Sequence, residues 1–157
     1  MFVCARLSGR LTIVEAVRPH ALWWAFVVAA SSMLGSLYFS EVADYAPCKL
    51  CWYQRVAMYS LAIILLVAAI RRDRSVVPYA VPLAVVGLVV STYHYLVEWF
   101  PTLETNVCSI DVPCTSVWFR TFGFVSLAFM AFCGFTAVVT VLLCTHQSED
   151  TREEKNH

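Results

Sequence analysis

Four cysteines, arranged as two pairs, carry the chemistry available to this chain of 157 residues. Cys48-Lys49-Leu50-Cys51 sets two thiols two residues apart, and five residues separate Cys108 from Cys114. Paired thiols form and exchange disulfides by thiolate attack on a sulfur, through a mixed disulfide. Two other residues could assist. Arg55 follows Cys51 by four residues, one helical turn along the same face, and His94 offers a titratable imidazole. A purely structural staple fits Cys48/Cys51 poorly, because closing so short a loop restricts the unfolded chain very little. Bridges of the C-x-x-C type are also typically redox-active. A four-cysteine zinc site would need C-x₂-C, 56 residues and then C-x₅-C, whose second half is not a usual zinc knuckle, so no metal is expected. The sequence has no Rossmann glycine pattern, no CxxCH haem motif and no run of iron–sulfur ligands. An electron acceptor must come from elsewhere.

The elements that position these residues are membrane helices. The chain is 60% hydrophobic and 14% charged, with 11 Lys+Arg against 11 Asp+Glu. A soluble domain carries roughly a quarter charged residues. So few charges cannot cover a soluble globule this apolar, and a balanced charge offers nothing to nucleic-acid phosphates. Charge-free stretches mark three spans: 21–39, 75–97 and 121–145. Each approaches or exceeds the roughly 20 residues that cross about 30 Å of hydrocarbon. The apolar run 56–70 is too short alone, so the second span is expected at 51–70, with Arg55 near enough to its end to snorkel. The first span is read as a retained helix rather than a signal peptide, its apolar run being too long. Short connections then imply an all-α, four-transmembrane antiparallel bundle in one domain.

Orientation follows from Lys and Arg in the flanks. Arg6, Arg10 and Arg18 precede the first span, and Arg71, Arg72 and Arg74 lie between the second and third. Loop 40–50 has only Lys49, and loop 98–120 only Arg120. Both termini are therefore expected in the cytoplasm, with these two loops outside a cell (cytoplasmic) membrane. Cys4 is then cytoplasmic, and Cys133 and Cys144 sit inside the fourth span as small hydrophobes. The other four cysteines share the outward side, where disulfides are allowed. Ser32, Gly35 and Ser36 form a small-residue face suited to close helix contact. Trp99, Phe100, Trp118 and Phe119 read as interfacial aromatics, and 147–157 as a solvated, frayed tail.

Depth adds to this. Cys51 opens the second span, where a helix N-terminus favours thiolate, and Pro47 keeps the approach to it extended. His94 comes about one turn before the outward end of the third span, so it shares a depth with Arg55. A dithiol, a cation and an imidazole at the lipid boundary suit a lipid-soluble two-electron carrier, a quinone.

The string Pro47-Cys48-Lys49-Leu50-Cys51-Trp52-Tyr53-Gln54-Arg55 resembles the DsbB family of membrane disulfide-generating quinone reductases, most closely its short BdbC-type branch. The likeness runs from residues 33–41 through His94-Tyr95 and the second cysteine pair to Gly123-Phe124. It implies that Cys48 and Cys51 face a ubiquinone or menaquinone, with Cys51 the thiolate against the ring. Arg55 and His94 would line the quinone site. Cys108 and Cys114 would exchange with an extracytoplasmic thioredoxin-like thiol oxidase of the DsbA/BdbD kind. The second pair departs from the larger members, whose intervening loop is much longer. Two alternatives stay open: a redox enzyme similar to vitamin K epoxide reductase, whose C-x-x-C lies near the end of a late helix whereas here it opens the second of four, and a non-enzymatic membrane adaptor with structural disulfides.

Overall fold

The computed structural model describes residues 20–104, 108, 112–118 and 120–154, with side chains up to residue 144. Among the described residues four α-helices follow one another: α1 (Ala21–Glu41), α2 (Lys49–Arg71), α3 (Val77–Trp99) and α4 (Leu127–Glu154). All four are long and apolar enough to cross a membrane, α4 through its segment Leu127–Cys144. The protein is a multi-pass, all-α membrane protein. Cys4, the three N-terminal arginines and Phe119 lie outside the described residues, as do the side chains of the tail. The backbone of α4 stays helical to Glu154 instead of fraying after the span.

Several helix ends shift by a few residues from the sequence expectation, and two of the starts do so for an identifiable local reason. The second helix starts at Lys49, not Cys51, because Cys48 takes the N-cap position with an extended backbone (φ −70°, ψ 171°). The fourth starts at Leu127, not residue 121. Residues 121–125 instead close a tight turn in which Thr121 and Val125 exchange backbone hydrogen bonds at 3.0 Å. Phe122 (φ 55°) and Gly123 (φ 82°) both take positive φ in this turn, which glycine does at no steric cost. Ser126 then caps α4, its Oγ accepting the Phe129 N–H at 3.3 Å. Absence of charge could not separate an apolar turn from an apolar helix.

At the other end of α2, Arg72 enters the left-handed region (φ 55°). Its N–H and that of Asp73 return to the Ala68 and Ala69 carbonyls, which satisfies the last turn before the basic loop. That loop is short, so α2 and α3 must run antiparallel.

Packing forms a closed ring, with α1 and α3 each seated against both α2 and α4. Small residues at the seams (Ala25, Ala29, Ala80 and Ala84) let backbones approach. Leu61, Leu65, Phe135, Val138 and Leu142 fill the middle. Gly87 is required where it stands: a Cβ there would overlap the Phe135 ring. Large apolar side chains such as Ile63, Val67, Ile70, Val86 and Val89 point outward, as lipid contact demands.

Candidate active site

The site begins with the cap of α2. Cys48 is buried, and its Sγ accepts the Cys51 backbone N–H at 3.3 Å, filling the role that Ser or Asp oxygens usually play. The two sulfurs stand 2.7 Å apart as thiols. The hydrogen bond from the Cys51 side chain, joined by His94 and the Cys51 backbone N–H, outweighs burial and draws the Cys48 thiol down to about 4. Cys48, outside the helix, therefore holds the position that the sequence reading gave to Cys51. Cys51 lies inside the first turn.

His94 approaches the pair from α3. Its ring is 3% exposed, with Nε2 3.6 Å from Cys48 Sγ and Nδ1 3.0 Å from Gln54 Nε2. With the Gln54 amide donating, Nδ1 accepts, so in the neutral ring Nε2 carries the hydrogen and donates it to Cys48. Gln54 was not singled out in the sequence. The available signal was its place three residues after Cys51, on the same helical face.

The second pair is closed: Cys108 and Cys114 form a disulfide with Cα atoms 5.7 Å apart. Cys114 is fully buried in one cluster with Cys48, Leu50 and Val97, against which Cys108 and Cys51 also pack. Residues 60 positions apart in sequence thus share one hydrophobic patch.

Cys51 borders a different space. A cavity of about 180 Å³ opens at this end of the bundle, lined by Cys51, Gln54, Arg55 and His94 together with Met58, Phe135 and the Ser32, Gly35 and Ser36 face of α1. That face therefore does two things. Ser32 meets α4 closely, since a Cβ on Gly134 would lie 2.9 Å from its Oγ. Gly35 and Ser36, expected at a helix contact, instead leave room for the cavity. Arg55 does not simply snorkel: its Nη2 donates to the Ser36 carbonyl at 2.9 Å, and its guanidinium lies 5.5 Å from the Trp52 ring centre. Part of the wall is a stack of three rings, Phe39 on Tyr45 (5.9 Å) and Tyr45 on Trp118 (5.2 Å). Trp118 belongs to this wall and is also exposed, to the same degree as Trp99, and Phe100 is exposed too, as expected of interfacial aromatics.

The family model described as disulfide bond formation protein DsbB matches residues 18–145. The chain belongs to the DsbB family. It is 43% identical to the probable disulfide formation protein C 2 of Bacillus anthracis, over 80% of this chain and 90% of that one. It is 39% identical to the disulfide bond formation protein C of Bacillus subtilis, over 82% of this chain and 93% of that one. The probable disulfide formation protein of Coxiella burnetii is 37% identical over 90% of this chain and 98% of its own. No solved structure matches. As a DsbB-family protein the chain is a membrane oxidoreductase of disulfide formation.

Proposed function

We propose that this protein reoxidises an extracytoplasmic thioredoxin-like thiol oxidase of the DsbA/BdbD kind and delivers the electrons to a membrane quinone. One observation carries the reading. Cys48 packs beside the Cys108–Cys114 disulfide while Cys51, bonded to it through the cap, lines the apolar cavity. One dithiol thus borders both a second sulfur pair and a space suited to an apolar ring.

Electrons enter when a thiolate of the reduced partner attacks the Cys108–Cys114 bridge through a mixed disulfide. The freed thiols then attack a Cys48–Cys51 disulfide, leaving Cys48 and Cys51 as the dithiol. Cys48 is the better leaving group of the two because its thiolate is stabilised by the cap and by His94. The cavity suits a quinone by its donor set: apolar walls from Met58 and Phe135, one cation at Arg55 and an imidazole at His94. A quinone held there supplies a two-electron, two-proton acceptor. Arg55, anchored to the Ser36 carbonyl, would orient an oxygen of that ring, and His94 would steady the Cys48 thiolate through its Nε2 hydrogen. The Lys/Arg asymmetry of the loops supports an orientation in a cytoplasmic membrane with all four cysteines on the extracytoplasmic side.

Anaerobic mixing of the purified protein with a reduced thioredoxin-like dithiol partner and either ubiquinone or menaquinone tests this. Loss of quinone absorbance in step with partner oxidation is the expected result. A protein that leaves both unchanged is an adaptor with structural disulfides.

A further inference from the structure

Glu98 is a buried acid that the electron path above does not use. It sits one turn beyond His94 on α3 and is 9% exposed. One of its oxygens accepts a hydrogen bond from Ser126, the cap of α4. The other, Oε2, is buried and has no hydrogen-bond partner among the described residues. Leaving a buried acid oxygen without a partner is destabilising, which calls for an explanation. A structural one is available, since the Ser126 contact ties α3 to α4, but a Gln or Ser would serve that contact without stranding an acid oxygen.

The surroundings suggest what the acid does. A small cavity next to the one bordered by Arg55, with Cys51, His94 and Trp118 between them, is lined by Cys48, Cys51, His94 and Glu98 and closed by Pro113 and Trp118 of the second loop. The charged and titratable groups that act on Glu98 are His94 on its own helix, Cys48 at the cap of α2 and Arg120 in the loop before α4. Arg120 places its guanidinium 4.4 Å from the Trp99 ring centre. We propose that Glu98 is the proton acceptor of the Cys48/Cys51 dithiol, holding at Oε2 the proton that Cys48 gives up.

The proton count requires such a group. Converting two thiols to a disulfide releases two electrons and two protons. When Cys48 stands as thiolate, its proton has already moved. His94 is poorly placed to keep it, because Gln54 donates to Nδ1 and the hydrogen on Nε2 points at the sulfur. Transfer to Glu98 replaces a thiol and a carboxylate by a thiolate and a carboxylic acid, so the net charge of a dry pocket does not change. That avoids the large cost of creating a separate buried charge. On oxidation, the electron pair leaves through the forming sulfur–sulfur bond. The Glu98 proton and the remaining Cys51 proton leave with it towards the acceptor, a quinone in the reading above, on which this inference rests.

The test uses the full-length protein and the isosteric Glu98→Gln variant, whose amide oxygen still accepts from Ser126. Infrared difference spectra are recorded between the dithiol form and the form oxidised with diamide, an oxidant that requires no quinone. The wild type should show a carboxylic-acid carbonyl band that is present in the dithiol form, lost on oxidation, shifted in heavy water and missing from Glu98→Gln. In parallel, Glu98→Gln should reduce quinone roughly a hundredfold more slowly with partner exchange at Cys108/Cys114 unchanged, and Glu98→Asp should recover part of the rate. The absence of a carboxyl band from the wild type, or its survival in Glu98→Gln, overturns the proposal, as does a wild-type quinone rate in Glu98→Gln. If the band behaves as expected but the wild type reduces no quinone, Glu98 keeps its role and the quinone reading is the one that fails.

Discussion

Cys48 Sγ lies 3.6 Å from Nε2 of His94, 46 residues further along the chain, and the Cys51 N–H caps the same sulfur at 3.3 Å. The sulfur is thus held between a helix N-terminus and an imidazole, two arrangements that favour thiolate. Its thiol is drawn down to about 4, so the thiolate persists above that pH and is lost only as the pH falls towards it. Alkylation at Cys48 by a small haloacetamide, mapped by mass spectrometry on the reduced protein, should be nearly flat between about pH 6 and 8. An ordinary thiol with a pKa of about 8.5 would lose roughly tenfold per unit over that range. His94→Ala should move the fall to higher pH.

Gln54→Leu removes the donor to His94 Nδ1 and leaves the imidazole free to change tautomer. One hydrogen bond of about 1–1.5 kcal/mol corresponds to about a tenfold rate change. Quinone reduction should fall by that order, and His94→Ala on top of Gln54→Leu should cost little more. Additive losses from the two changes would separate Gln54 from the His94 function.

Arg55→Ala should raise the apparent KM for quinone and leave partner exchange intact, as expected when an interaction common to ground and transition states is removed. Steady-state kinetics over a range of quinone concentration reads it directly. An unchanged KM would leave the Ser36 carbonyl tether as the sole role of Arg55.

The two pairs should fail separately. Cys51→Ser should abolish quinone reduction while Cys108/Cys114 still exchanges once with the partner. Cys108→Ser should block partner oxidation while quinone still oxidises Cys48/Cys51, because removing one sulfur stops only its own exchange step. Trapping of mixed disulfides in a single turnover decides the order. Capture of the partner mainly on Cys48 in otherwise intact protein would reduce Cys108–Cys114 to a staple.

Gly87→Ala should destabilise the bundle by about 1–3 kcal/mol through overpacking against Phe135. Thermal unfolding in detergent measures it, and Phe135→Leu in the same chain should restore part of the loss. A single variant as stable as wild type would mean that α3 and α4 can separate at this seam.

Much of this was legible in the one-dimensional chain because membranes impose one-dimensional rules. Hydrocarbon excludes charge and requires every backbone group to be bonded within its own helix, so four apolar runs had to become four helices. The cysteine spacing and the string around Cys48 carried the family. Helix ends were less accessible: apolarity continues through the turn at Gly123, and only its positive φ and the Ser126 cap decide where α4 begins. Tertiary structure alone decided which sulfur faces what. Cys48 and Cys51 both pack near Cys114, but it is the Cys48 sulfur that meets His94 Nε2 and Cys51 that borders the cavity of Arg55. Gln54, Trp118 and Glu98 joined the site only through packing between helices. Their meaning depends on distances across the bundle, which spacing along a chain does not encode.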